Sequence, residues 1–108
     1  MKIKINESIF TIRTSNLKDY RYCYTLTKKN MLHYFKKYWG GWKPKVFRRD
    51  FNSKNTKIIL KNNKRVGYYV LKQEKKFTYV GNVQISTLFR GKGIGTYIMK
   101  LIERQTMK

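Results

Sequence analysis

The chain has 108 residues and a mass of 13.1 kDa, one domain's worth, and at 41% hydrophobic and 16% aromatic it has core-forming residues in excess of any disordered segment. Cys23 is the only cysteine and His33 the only histidine, which excludes an internal disulfide framework and a Cys/His zinc site. Lys and Arg number 26 against 5 Asp and Glu, a formal net charge of +21 that attracts polyanions in general.

That charge does not by itself name a partner. Of the 26 cations 19 are lysine, and the chain is also rich in Asn, Ile and Tyr, residues that an AT-rich genome encodes most readily. The cations are scattered, with no basic tail or Arg-rich block, and read mainly as a solvated surface. Apolar runs fall far short of a membrane span. The start, Met1 to Glu7, alternates apolar and polar residues and lacks the continuous apolar core of a signal peptide. The expectation is a cytoplasmic protein with no membrane contact.

Ile9 to Thr14 alternates on a period of two, with Phe10 and Ile12 on one face, and predicts an opening strand. Ser15 and Asn16 supply cap-type oxygens, with Asp19 three residues after Asn16, and so start a helix. Tyr20, Cys23, Tyr24, Thr27 and Met31, then Tyr34, Phe35 and Tyr38, carry it from about Leu17 to Tyr38, with a kink expected near Asn30. Gly40 and Gly41 end it. Pro44 opens a short second helix with Val46, Phe47 and Phe51. Strands follow at Thr56–Lys61 and Val66–Gln73, joined by a turn at Asn62 to Lys64, and a further strand runs from Phe77 to Ser86.

The last segment carries the most chemistry. After the strand come Arg90-Gly91-Lys92-Gly93-Ile94-Gly95-Thr96, then Ile94, Tyr97, Ile98, Leu101 and Ile102 at i, i+3, i+4, i+7 and i+8, one apolar helical face. Glycines 91, 93 and 95 let the backbone turn tightly and approach a ligand. At a helix start the free amides and the dipole favour an anion, and Arg90 and Lys92 add charge. The site suits a phosphate-bearing ligand. It is not a Walker loop, because Gly91-Lys92 is followed by Gly93 instead of Ser or Thr. Nor does it have the glycine spacing, or the acidic residue about twenty positions on, of a dinucleotide fingerprint.

Arg90, Gly93 and Gly95 do match Arg-x-x-Gly-x-Gly, and this loop, set after a strand, two helices, a hairpin and a long strand, resembles the pyrophosphate loop of the GNAT acyltransferases. The resemblance covers essentially the whole chain. It implies an α/β fold with a mixed, mostly antiparallel sheet and flanking helices, in the order β-α-α-β-β-β-α, forming one domain over 1–108. It also implies an acetyl-CoA-dependent N-acetyltransferase in which an acceptor amine attacks the thioester directly. Val83 and Ile85 would offer strand backbone to the pantetheine arm, and Arg90, Gly91, Lys92, Gly93, Ile94, Gly95 and Thr96 would cradle the pyrophosphate. The family's fold normally continues beyond this helix with strands that close one wall of the cleft and often carry the tyrosine that protonates the departing thiolate. The fourth strand's edge is therefore expected to be open, or covered by a second copy or a partner chain.

On the acceptor side no acid or base is assigned, because none of the five carboxylates falls in the middle of that strand. Asn82 and Gln84 alternate with Val83 and Ile85 and are candidates to position a water. Tyr34 and Trp42 are candidates for substrate contact, set against a plain packing role for the aromatic group Tyr34 to Phe51. His33 reads as a helix-surface residue and Cys23 as a small buried apolar one. The acceptor is an unidentified small-molecule or protein amine, expected to be neutral or anionic in a protein of this charge. The alternative is a non-catalytic basic module that binds RNA or DNA, or an acetyltransferase remnant.

Overall fold

The computed structural model describes residues 1–106. Five strands, β1 (Lys2–Ile5), β2 (Ser8–Thr14), β3 (Thr56–Lys61), β4 (Lys64–Gln73) and β5 (Thr78–Ile85), form one sheet in sequence order, every neighbour antiparallel. Helices α1 (Tyr20–Tyr38) and α2 (Pro44–Asp50) lie between β2 and β3, and α3 (Ile94–Thr106) follows β5. No helix among the described residues is long and apolar enough to cross a membrane.

The α/β architecture and the run of elements from Ile9 onward agree with the expectation. One strand was not foreseen. Lys2–Ile5 is short and half lysine, but Ile3 and Ile5 point to one face and are buried. The turn that joins it to β2 is Asn6-Glu7, with φ of 50° and 72°, the two-residue type that matches strand twist but is ordinarily written Asn-Gly or Asp-Gly. Asn62-Asn63 makes the corresponding turn between β3 and β4, with φ of 52° and 63°. Helix α1 runs unbroken through Asn30, where a kink was expected. At its end the amides of Trp39 and Gly41 both close on the Phe35 carbonyl, with Gly40 at φ 73°.

The sheet is packed on both faces. On one, Ile3, Ile5, Phe10, Ile12, Ile59 and Tyr69 meet Ile94, Ile98 and Ile102, the predicted apolar stripe of α3. On the other, Ile58 and Tyr68 meet Cys23 and Leu26 of α1, with Phe47 and Phe51 half-buried around them. Burying each large apolar side chain stabilises the fold by about 1.5–3 kcal/mol, so these two layers fix which way each strand faces.

One buried charge ties the second layer to the sheet. Asp19 has no exposed surface; its carboxylate accepts two hydrogen bonds from Arg13 of β2, at 2.7 and 2.9 Å, and one from Arg65 Nε of β4, at 2.9 Å. It also accepts the Asn16 amide at 2.9 Å, while the Asn16 side chain accepts the Lys18 amide; this reciprocal cap closes a 3-10 turn at Leu17–Asp19 that leads into α1, so the α-helix proper starts at Tyr20, three residues later than expected. The Arg13 hydrogen bonds, with help from the Asn16 amide and Arg65, hold the Asp19 carboxyl down at about 2 against its burial.

Candidate functional site

Strand β5 carries the site. Its alternation is reset by an extra residue: Val70 pairs with Asn82 and Leu71 with Val80, leaving Gly81 as a bulge. Val80 and Val83, three residues apart, therefore pack on the same α3-side core, while Asn82 and Gln84 face the α1 side. The Ser86 amide bonds inward to the Val66 carbonyl. By strand parity the main-chain groups of Val83 and Ile85 then point to the outer edge, where, among the described residues, no further strand pairs. The Ile85 carbonyl is already committed: it accepts Asn30 Nδ2 and Arg90 Nε, both at 3.2 Å.

Beyond β5, a single turn at Thr87–Phe89 leads into the glycine loop. Gly91 and Gly93 have φ of 75° and 81°, and a Cβ on Gly91 would meet nothing within 4 Å. The first helical bond of α3 runs from the Tyr97 amide to the Gly93 carbonyl, so the amides of Ile94, Gly95 and Thr96 precede it and are free of the helix ladder. These residues and the exposed Arg90 and Lys92 fit a diphosphate: several donors on a 13-residue helix's positive end, with cations beside them. The β1–β2 turn braces the loop, since Asn6 Nδ2 donates to the Lys92 carbonyl at 3.1 Å. Asn6→Gly keeps the left-handed turn and removes that brace; the expected result is weaker binding of anions at the loop, with a stability loss of no more than about 1 kcal/mol, read by titration and thermal melting together.

On the α1 side the polar residues form a chain. Asn30 donates to Gln84 Oε1 at 3.0 Å, Gln84 to Asn82 Oδ1 at 2.9 Å, and Asn82 to the Tyr68 hydroxyl at 3.4 Å. Tyr68 in turn meets Thr27, whose own hydroxyl proton goes to the Cys23 carbonyl at 2.7 Å, so the Tyr68 proton is directed at Thr27. Burial pushes the Tyr68 hydroxyl well above its ordinary range, and pushes the Cys23 thiol up to about 12. Neither is a proton donor or nucleophile poised for use. Asn30 Oδ1 is the one buried side-chain acceptor without a partner among the described residues.

A cavity of about 350 Å³ opens beside this chain, between α1, α2 and the sheet. Trp42, Asn82 and Gln84 line it together, with Tyr68, Gly81 and the rings of Phe35, Phe47 and Phe51. Trp42 is fixed by a 3.0 Å hydrogen bond from its indole to the Tyr24 hydroxyl and by edge contact with Phe35. Tyr34 is not part of the wall: it is exposed and its ring meets that of Tyr38 at a tilt along α1. His33 is exposed as well, and no cluster of His, Cys, Asp or Glu among the described residues could hold a metal. Asn30, Gly81 and Tyr68 escaped the sequence reading. Asn30 stands at i+7 from Cys23 on the face that also bears Leu26 and Thr27, and Gly81 is a lone glycine inside a strand pattern, a bulge signal.

A family model, the acetyltransferase (GNAT) family, matches residues 16–108, nearly all of this arrangement. The chain belongs to the GNAT acetyltransferase family. Solved structures agree on the fold. A GNAT-family acetyltransferase from Listeria monocytogenes superposes with a TM-score of 0.69 at 12% identity, over 99% of this chain and 75% of that one. The ribosomal-protein-S18-alanine N-acetyltransferase of Escherichia coli gives 0.65 at 14% identity, over 90% of this chain and 59% of that one. N-acetylglutamate synthase of Neisseria gonorrhoeae, complexed with coenzyme A and N-acetyl-glutamate, gives 0.62 at 13% identity, over 91% of this chain and 22% of that one. The chain thus spans less than two thirds of the last two proteins. No curated protein matches the sequence significantly. As a GNAT domain it has the family's acetyl-transfer fold, with the glycine loop standing between β5 and α3.

Proposed function

We propose that the chain is an acetyl-CoA-dependent N-acetyltransferase. The observation that carries this reading is the glycine loop, with the amides of Ile94, Gly95 and Thr96 ahead of the first α3 bond and Arg90 and Lys92 beside them. Coenzyme A in the Neisseria gonorrhoeae neighbour of the same fold supports it. Acetyl-CoA supplies the acetyl group as an activated thioester. Arg90 through Thr96 hold its diphosphate, and the outward backbone of Val83 with the Ile85 amide aligns its pantetheine arm along the open edge of β5. The bulge at Gly81 leaves main chain unpaired next to the cavity, where a polarising contact to a carbonyl is needed. The cavity beside Trp42, Asn82 and Gln84 takes the acceptor amine. Because the polar chain from Asn30 to Thr27 holds Asn82 and Gln84 at both ends, these amides orient a bound group without exchanging protons with it.

The test is calorimetric titration with acetyl-CoA at near-physiological salt, with ATP as a matched polyanion. Saturable binding of acetyl-CoA with far weaker binding of ATP is the expected result. Equal binding of both, collapsing between about 50 and 200 mM salt, is the behaviour of a non-specific basic surface; it would overturn the cofactor reading in favour of a nucleic-acid binder.

A further inference from the structure

The cavity on β5 combines three features that together narrow its ligand. Four aromatic rings, Phe35, Trp42, Phe47 and Phe51, give it flat apolar walls, and Lys43 and Lys72 are the two cationic residues that line it. Among the described residues it lacks an available base. Of the five acids, Asp50 alone lines the cavity; its carboxylate is paired with Arg49 at 3.0 Å, and that hydrogen bond, with the charges of Arg49 and Lys72, holds its pKa below the ordinary value and makes it a weak proton acceptor. Asp19 is sealed between Arg13 and Arg65, Glu7 and Glu74 stand at the β1–β2 and β4–β5 turns, and Glu103 lies on α3 across the sheet. His33 is outside the wall.

These facts weigh against an alkylamine. With an ordinary pKa of about 10.4, such an amine arrives as an ammonium ion. It would have to enter beside two lysines and then surrender an extra proton before it could attack. An aromatic amine is uncharged at neutral pH and meets neither obstacle. As its nitrogen bonds to the acetyl carbon and the carbon–sulfur bond breaks, the proton the nitrogen releases equals the one the thiolate of coenzyme A takes up. The reaction balances with no external base.

We infer that the acceptor is a flat aromatic amine bearing a carboxylate, its ring among Phe35, Trp42, Phe47 and Phe51 and its carboxylate at Lys43 and Lys72. Ring stacking in a desolvated aromatic pocket and charge-assisted bonds to the lysines supply the recognition. At about 350 Å³ the cavity lies in the range of small-ligand sites, about 300–1,000 Å³. The acceptor role rests on the acetyl-transfer reading above; the binding of an aromatic acid does not.

The probe is 4-aminobenzoate, added to the full chain carrying Trp39→Phe, since Trp39 is exposed outside the cavity and its removal leaves Trp42 as the only indole. Saturable change of Trp42 fluorescence is expected. The dissociation constant should rise about tenfold, or about 1.4 kcal/mol, when Lys43→Gln and Lys72→Gln are combined, while the affinity for aniline stays unchanged. With acetyl-CoA present, 4-aminobenzoate should be acetylated faster than benzylamine. No saturable signal, or a signal indifferent to both lysines, overturns the inference. Acetylation of benzylamine but not of 4-aminobenzoate overturns it and leaves acetyl transfer standing. Binding of 4-aminobenzoate with no amine acetylated sinks the transfer reading and the acceptor role with it.

Discussion

Asp19→Asn is expected to lower the melting temperature by roughly 10–20 °C at neutral pH. The carboxylate is wholly buried and takes four hydrogen bonds, three of them from the guanidiniums of Arg13 and Arg65. An amide offers one acceptor oxygen in place of two and turns its NH2 toward a guanidinium. It also leaves two cations facing each other in a protein of net charge +21. Breaking a buried pair costs about 3–5 kcal/mol; the arginine side chains are each 37% exposed, so water recovers part of that and about 2–3 kcal/mol remains. The sign of the pH dependence follows from the same contacts. The folded-state pKa of Asp19, about 2, lies below its ordinary 3.8, so its stabilisation is complete above about pH 4–5 and is lost as the pH falls toward 2. Thermal melts between pH 7 and pH 2 check both parts. The parent should lose stability over that window and the variant should start low and change much less; two parallel curves would mean that the Arg13–Asp19–Arg65 cluster contributes little to the fold.

Most of the fold was legible because its signals are local. The α3 stripe, the Pro44 start, the Asn16–Asp19 cap, the Thr56–Lys61 strand and the Gly40-Gly41 stop are each written within a few residues, and each stands where its chemistry puts it. What was missed depends on partners far along the chain. The strand Lys2–Ile5 earns its place by pairing with β2 and covering α3, and four residues with two lysines carry too little pattern to announce that. Asn30 reads as a helix breaker until its amide is seen bonding Gln84 and Ile85, 54 and 55 positions away. Tyr34 and Trp42 look alike as aromatic candidates, and only the packing of α2 against α1 turns one into the cavity and leaves the other on the surface. The glycine loop was legible because its requirement is conformational, and glycine states such a requirement directly.

That requirement yields the sharpest contrast available at the site. Gly93→Ala should weaken acetyl-CoA binding about tenfold or more, whereas Gly95→Ala should keep it. Sterics do not separate the two positions: a Cβ would find only Asn6 Nδ2 at 3.9 Å at Gly93, and Val83 Cγ1 at 3.9 Å at Gly95, both ordinary contacts. The difference is the backbone. Gly93 has φ of 81°, where an L side chain costs about 1–2 kcal/mol, while Gly95 is not in the left-handed region. An alanine at 93 must either hold that strain, which thermal melting detects, or relax the loop and swing the amides of Ile94, Gly95 and Thr96 off the diphosphate, which titration detects. At 95, inside the first turn of α3, alanine gains up to about 1 kcal/mol of helix propensity and should melt a few degrees higher. Equal loss of affinity in both variants would mean that clearance for the ligand, and not the backbone angle, governs the loop. Unchanged affinity in both would remove the glycine loop as the phosphate site and, with it, the principal support for acetyl-CoA.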